Sequence, residues 1–382
     1  MNIGFFTDTY LPNIDGVVTS ILNYRGELER KEHKVFIFSS GDKQAIKNNH
    51  DPRVFFYDSI KFPPYPQYKL ALFPFTAKAK CKENEIELIH CHAMASMGLA
   101  AIKTANDLDL PLVGTFHTLI PNAFKLISKK KWVNDIASTI SWKAIKAFYK
   151  PFDVVTCPTK TISNLMAEEG IKSVVVPTAV DTNRFTTELD KQVIRKIFKI
   201  DKDEKIILTT GRVSAEKNLE VVVNAAELLL KERKAKFIIS GDGPFKEELL
   251  KLVDDKGLKD NFIFTGFVEA TELPFMYAAS DCFVTASTFE TQGLALLEAM
   301  ACGKPVIGAN AMAIPEAIDE NKNGFLFQPF DALECSQKII KVLDASAEDY
   351  KKMSANARKT AEKYSIEKST EKLLDAYNQA KN

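Results

Sequence analysis

Two glutamates eight positions apart, Glu290 and Glu298, flank a glycine in the stretch STFETQGLALLEAMACGKPVIG, residues 287–308. The apolar run after Gly293 reads as a helix, which places Glu290 before its first turn and Glu298 inside it. Eight residues at helical rise span about 12 Å, so the two carboxylates lie roughly two turns apart along the axis. The first can accept hydrogen bonds from sugar hydroxyls at the helix entrance, and the second can hold a ribose diol. Between them, the amides around Gln292, Gly293 and Leu294 have no intrahelical acceptor and can face a phosphate. Taken alone, a glutamate favoured by the helix dipole plus an ordinary surface glutamate would explain the pair equally well.

A second stretch, TGRVSAEKN, sets Arg212 at a strand end and Lys217 at the mouth of the next helix. Two cations beside unsatisfied helix amides suit a diphosphate, because guanidinium clamps two oxygens and the dipole attracts anions. The plain alternative is a solvated loop with an ion pair among Arg212, Glu216 and Lys217. HCH, residues 90–92, puts His90 and His92 on one strand face, yet no third ligand stands at usable spacing, so no metal is expected.

These residues need a scaffold, and the chain supplies one by alternation. Short β-branched or aromatic runs (IGFFT, KVFIFS, IELIHCH, LPLVGTF, DVVTCPT) alternate with helical patterns, then restart after SVVVPTAVDTNRF with KIILTTGR, KFIISGDGP, FIFTGFV and CFVTAS. Nearly all-apolar strands with crossover helices predict parallel sheets covered on both faces. With 382 residues the chain suggests two α/β domains. Ligands of open parallel sheets sit beyond the carboxyl ends of the strands, where GRVSAEKN, GDGP, STFETQG, FHTLIPN and TDTYLPNIDG all fall.

Composition narrows the partners. The net charge of +1 gives no reason to expect nucleic acid. Residues 1–180 carry 22 basic against 17 acidic side chains, net +5, and the remainder 29 against 33, net −4. The six scattered cysteines sit in apolar surroundings without a CxxC pair and read as reduced core thiols. No basic leader precedes the first strand, and no apolar run approaches the ~18 residues of a membrane span.

GRVSAEKN, GDGP, GFVEATELPFMYAASD and ETQGLALLEAMACGKPVIG together resemble the retaining glycosyltransferases of family 4, over nearly the whole chain. The resemblance implies the GT-B fold, two Rossmann-like parallel-sheet domains facing a central cleft. Residues 1–180 would form the acceptor-side domain and residues 181–363 the nucleotide-sugar domain, with the terminal helix 364–382 crossing back onto the first. It implies that Glu290 contacts the donor sugar with Thr291 and Gln292, that Glu298 binds the ribose, and that Arg212, Lys217, Gly293 and Leu294 hold the donor pyrophosphate. His117, in GTFHT, matches a histidine beside the transferred sugar, where a neutral imidazole can hydrogen-bond a hydroxyl or carry a proton. YLPNIDGVVTSI resembles the glycine loop near the pyrophosphate, with Gly16 as the close-approach point or a simple turn glycine. Asp15 stands where many members have another glycine. No cofactor beyond a nucleotide diphosphate sugar as co-substrate is implied, and no metal.

The acceptor reading rests on residues 123–151, which hold seven lysines and one acid together with both tryptophans, Trp132 and Trp142. Val133, Ile136, Ala137, Ile140, Ala144 and Phe148 form an apolar helical stripe. A crossover helix with that stripe against the sheet explains the stripe but not Lys129, Lys130 and Lys131 beside Trp132. Basic residues interleaved with aromatics suit an anionic bilayer surface. TDTYLPNIDGVVTSI is most similar to the diacylglycerol glucosyltransferases. The expectation is a cytoplasmic enzyme attached peripherally to the inner face of the cell membrane, moving glucose from UDP-glucose to a lipid. A soluble or phosphoinositol-type acceptor, GDP-mannose as donor, a sugar-nucleotide epimerase and a non-catalytic binding protein are the alternatives.

Overall fold

A computed structural model describes the chain except residues 14, 63, 64, 72, 73, 75 and 120–130; for 61–70 and 131–133 it describes the backbone alone. The chain divides into two compact units, Met1–Ala179 with Ile366–Asn382, and Val180–Ser365.

The first unit is built on β1 (Asn2–Thr7), β2 (Lys34–Gly41), β3 (Val54–Phe62), β4 (Tyr65–Ala71), β5 (Leu88–Cys91), β6 (Leu112–Thr115), β7 (Val154–Cys157) and β8 (Val174–Val175). Their order is β4-β3-β2-β1-β5-β6-β7-β8, and each pairing is parallel apart from the antiparallel β3–β4 edge. Strand order reverses at β1, between β2 and β5. The helix Ile366–Lys381 packs into this unit: Leu373, Ala376 and Tyr377 are buried in one cluster with Val18, Ile21, Tyr24 and Leu28 of the helix Gly16–Arg30.

The second unit carries β9 (Lys205–Thr210), β10 (Ala235–Ser240), β11 (Phe262–Gly266), β12 (Cys282–Thr285), β13 (Val306–Ala309) and β14 (Gly324–Phe327), all parallel, in the order β11-β10-β9-β12-β13-β14. This is the doubly wound Rossmann order, with its switch point between β9 and β12. Apolar clusters fill both faces of the sheet, as continuous burial of Ile206, Ile207 and Leu208 on β9 requires. All six cysteines are buried and unbridged.

The loops that leave β9, β10 and β11 extend the sheet as backbone laid on backbone. The amides of Gly211, Val213 and Gly241 donate to the carbonyls of Ser240, Asp242 and Gly266 at 2.9–3.0 Å. Only glycine fits this approach: at Gly241 the backbone takes φ +143°, and a Cβ would lie 1.8 Å from the Gly211 carbonyl oxygen. Gly241→Ala should therefore cost the second unit more than about 3 kcal/mol, as large strain at a special φ does. Denaturant unfolding of the full chain checks this, and a loss below about 1 kcal/mol would show that the loops can separate cheaply.

Candidate functional site

The β9–β12 switch point is where the second unit gathers its charged side chains. After β9 the chain passes Gly211 and the exposed Arg212, then makes a 3₁₀ turn, Ala215–Lys217, closed by Asn218 in the left-handed region at φ +49°. Buried Asn218 ties this loop to the one after β12, donating from Nδ2 to the Ala286 carbonyl at 3.0 Å and to Thr288 Oγ1 at 3.1 Å. The Thr288 amide returns a bond to the Glu216 carbonyl at 3.4 Å. With the two loops fixed together, Lys217 Nζ meets Glu290 Oε1 at 2.5 Å.

This pair is partly sheltered, with the two side chains 26% and 20% exposed. Burial alone would lower the Lys217 ammonium, but the charge and hydrogen bond of Glu290, with the charge of Glu216, hold it above its ordinary value. Burial would likewise raise Glu290, and Lys217 together with a hydrogen bond from Ser287 holds it below. Both groups stay charged. The bland ion pair among Arg212, Glu216 and Lys217 does not form: Lys217 pairs with Glu290, Ser214 donates to Glu216, and among the described residues Arg212 has no ion-pair partner.

The helix that follows, Leu294–Ala301, begins after Gly293 at φ +85°, and no side chain caps it. The amides of Leu296 and Leu297 turn back to the Gly293 carbonyl at 3.1 and 3.2 Å, which leaves those of Leu294 and Ala295 without an intrahelical or side-chain capping acceptor. Gln292 is buried and Thr291 partly buried at this entrance. Glu298 sits in the middle of the helix, one turn beyond the uncapped end. Tyr277 OH donates to Glu298 Oε2 at 2.7 Å and in turn meets Thr210 Oγ1 at 2.7 Å, forming a partly buried chain from the end of β9 to the second glutamate. Burial raises the Glu298 carboxyl to about 7, against the opposing effects of Tyr277 and the Arg184 charge. Lys304 of the GKP turn donates to the Ala278 carbonyl at 2.7 Å and so steadies the helix Leu273–Ala279 that carries Tyr277. Burial lowers this ammonium to about 8. Sequence reading misses Asn218, Tyr277 and Lys304, because each looks like a turn residue, a core aromatic or a surface lysine until its partners are known.

In the first unit, β1 is followed by Asp8, whose buried carboxylate accepts from the amides of Ala95 and Met97 at 2.9 and 3.0 Å and caps the helix Ser96–Leu108. Asp15 acts just as locally, its side chain accepting from the amides of Val17 and Val18 at 2.8 and 2.9 Å as the N-cap of Gly16–Arg30. Gly16 is the first residue of that helix. His117, after β6, reaches the surface in part; burial of its ring lowers the imidazole to about 4. Its Nε2 lies 2.9 Å from His92 Nδ1. His90 does share a face with His92, but it is occupied by Tyr377 and Thr115, and no group of three or more His, Cys, Asp or Glu among the described residues is arranged to hold a metal ion.

Lys129 and Lys130 lie outside the described residues, and Lys131 and Trp132 are described only as the first backbone positions of the helix Lys131–Tyr149. That helix turns its apolar stripe inward only at one end. Half-buried Phe148 packs on Tyr149 and Phe152, and Ile145, Tyr149 and Trp142, the last stacked on Phe116, face inward with it, whereas Ile136 and Ile140 are 53% and 62% exposed. No helix among the described residues is long and apolar enough to cross a membrane.

Comparison with known proteins follows the two units. Residues 14–184 match the model of Glycosyltransferase Family 4, and residues 190–360 that of Glycosyl transferases group 1. The chain is 32% identical to the alpha-monoglucosyldiacylglycerol synthase of Streptococcus pneumoniae, over 86% of this chain and 75% of that protein. The chain belongs to glycosyltransferase family 4. It is also 30% identical to a sulfoquinovosyl transferase of Arabidopsis thaliana, over 88% and 67% of the two chains. Among solved structures, the Anabaena protein HepE in complex with UDP-glucose shares the fold of this family 4 chain, with a TM-score of 0.77 at 19% identity over 99% of each chain. The sucrose-phosphate synthase of Thermosynechococcus elongatus gives 0.79 at 19%, over 99% and 98%. Both units are thus Rossmann-like sheets of the GT-B type.

Glu298 offers a direct check on the electrostatics. Its folded-state value is raised, so the folded protein holds the proton more tightly than the unfolded chain; the associated stability is present at acid pH and lost as pH rises through about 7. Glu298→Gln keeps an acceptor for Tyr277 and does not ionise. The variant should be more stable than wild type at pH 8, with the difference shrinking toward pH 5. Thermal unfolding measures it, at about 2–4 °C per kcal/mol for units of this size. A difference independent of pH would mean that Glu298 titrates as an ordinary carboxylate.

Proposed function

We propose that this glycosyltransferase moves a hexose, with UDP-glucose as the leading donor, to a membrane lipid such as diacylglycerol, retaining the anomeric configuration. The observation that carries the reading is the Lys217–Glu290 pair, held at the switch point beside the uncapped helix entrance and the exposed Arg212. In the reaction the bond from the sugar C1 to the β-phosphate breaks while the acceptor oxygen bonds C1 from the same face. The acceptor's proton passes to the departing phosphate, so no separate protein base is assigned.

Charge builds on the leaving diphosphate, and Arg212, Lys217 and the first amides of Leu294–Ala301 at Gly293 and Leu294 are the groups to stabilise it. They do so without a divalent ion. Glu290, with Thr291 and Gln292, takes the sugar hydroxyls; Glu298 takes the ribose diol; His117 hydrogen-bonds the transferred sugar, and Gly16 allows close approach to the phosphates. The lipid acceptor is supported by the similarity to the monoglucosyldiacylglycerol synthase and by the exposed Ile136 and Ile140. These share a helix with Lys143 and Lys146 and follow Lys129, Lys130, Lys131 and Trp132 in sequence. Each lysine near an anionic surface contributes about 1 kcal/mol, and apolar side chains settle at the headgroup boundary. This gives peripheral attachment to the inner face of the cell membrane.

Nucleotide release and product anomer, measured with UDP- and GDP-sugars and diacylglycerol vesicles, test the reading. Arg212→Ala and Lys217→Ala should each lower kcat/KM by at least about 30-fold, or about 2 kcal/mol of transition-state stabilisation, and activity should persist in excess EDTA. Near-wild-type kcat/KM in both variants would remove the phosphate assignment. Turnover of donor without acceptor to an altered sugar nucleotide would indicate an epimerase, and binding without turnover a silent binder. Vesicle co-sedimentation should rise with anionic lipid, fall with salt, and drop when Lys129, Lys130 and Lys131 become Glu or when Ile136 and Ile140 become Ser. Wild-type protein that stays in the supernatant at low salt would replace the lipid by a soluble acceptor.

A further inference from the structure

The proposed reaction gives Glu298 the ribose but leaves Tyr277, its hydrogen-bond partner, without a role. The ring of Tyr277 is fully buried, edge-on to Phe185 with centroids 5.7 Å apart and tilted against Phe283 at 5.9 Å. Packing therefore fixes where its hydroxyl lies. Thr210 Oγ1 and Glu298 Oε2 each stand 2.7 Å from it.

The direction of this chain follows from the groups. Burial holds the Tyr277 hydroxyl well above its ordinary value, so it keeps its proton. An ionised carboxylate only accepts, which sends the tyrosine proton to Glu298 Oε2 and leaves Thr210 to donate to the phenolic oxygen. Thr210 alone would satisfy the tyrosine, so the consequence of the second bond falls on the glutamate. Glu298 is half-buried, and among the described residues it has no ion pair and no hydrogen-bond partner for Oε1. Arg184, whose charge bears on it, donates to the Ala270 carbonyl and lies over the Phe185 ring. Tyr277 is thus the group that anchors one carboxylate oxygen and leaves the other open, with the side chain ordered before a ligand arrives.

We propose that Tyr277 is a positioning residue for ribose recognition: by holding Oε2 it presents Oε1 of Glu298 to the ribose diol, which makes the site selective for ribonucleotides over deoxyribonucleotides. The proposal rests on the reading that Glu298 takes the ribose, and deepens it by naming the group that sets the carboxylate's geometry. Diol hydroxyls donate to a charged acceptor, the stronger class of hydrogen bond. A deoxy sugar lacks one donor and leaves a partly sheltered carboxylate oxygen unpaired.

Titration calorimetry of the full chain tests this, with UDP, GDP and their 2′-deoxy and 3′-deoxy forms at pH 8, above the value of about 7 to which burial raises Glu298. Wild type should bind the better of UDP and GDP at least about tenfold more tightly than the weaker of its deoxy forms. Tyr277→Phe keeps the buried ring and removes the hydroxyl. It should cut that ratio to about threefold or less, weakening the ribonucleotide and leaving the deoxy form little changed, whereas a merely structural role would weaken both alike. An unchanged ratio in Tyr277→Phe, with the ratio collapsed in Glu298→Ala, would overturn the proposal and leave the ribose reading standing. Binding of neither nucleotide, a wild-type ratio near one, or a ratio that survives Glu298→Ala would remove the ribose reading itself and the proposal with it. If Tyr277→Phe fails to fold, a crystal structure of wild type with the bound nucleotide decides: Tyr277 OH should stay on Oε2 with a ribose hydroxyl at Oε1, and a ribose held by Glu298 with Tyr277 parted from it would overturn the proposal.

Discussion

An ammonium and a carboxylate 2.5 Å apart, neither fully in water, set the terms for the second unit. A partly buried pair of this kind contributes little net stability, because the loss of hydration offsets much of the Coulomb attraction, but losing one partner strands the other charge. Lys217 and Glu290 must therefore stay together or exchange partners together. On the proposed function, a nucleotide sugar would supply both replacements at once: phosphate oxygens for Lys217 and sugar hydroxyls for Glu290. Neither charge would be left alone during that exchange, and exposed Arg212 would offer a planar fork to the same phosphate. On that reading the pair is a preorganised site held closed by its own members.

Everything that holds this pair is backbone geometry at a topological switch. Asn218 in the left-handed region bends the loop after β9 and fastens it to Ala286 and Thr288 after β12. Gly241 lets the loop after β10 lie on the Gly211 backbone without a side chain between them. Gly293 opens the next helix without a cap. The first unit follows the opposite rule at its own switch point, where Asp8 and Asp15 satisfy helix amides internally. One sheet spends its carboxylates on capping, and the other keeps a helix entrance unspent.

Much of this is legible in the sequence, for identifiable reasons. Apolar runs such as IILTT and FIIS admit only strands buried on both faces, and strand-end glycines mark where ligand loops must lie, so the two parallel sheets and the chemical loops can be read directly. Contacts across long separations cannot. The union of Lys217 with Glu290 spans 73 positions, and no spacing rule pairs them. Tyr277 reads as a core aromatic because its ring is one; only its hydroxyl, set between Thr210 and Glu298, has another role. HCH suggests a metal because strand alternation puts His90 and His92 on one face. It cannot show Tyr377 arriving from 287 positions away to occupy His90. The stripe that ends at Phe148 is periodic enough to suggest packing against the sheet, but periodicity gives a face and not its extent: Phe148 turns inward with Ile145 and Tyr149, while Ile136 and Ile140 stay exposed.

The central claim is that the Lys217–Glu290 pair opens to receive a donor diphosphate and its sugar. A crystal structure with an intact UDP-sugar analogue tests it most directly. The account predicts the β-phosphate within hydrogen-bond distance of Arg212 and Lys217, Glu290 turned to sugar hydroxyls, and Glu298 on the ribose. A nucleotide bound away from these side chains, with Lys217 and Glu290 still joined as in the free protein, would contradict it.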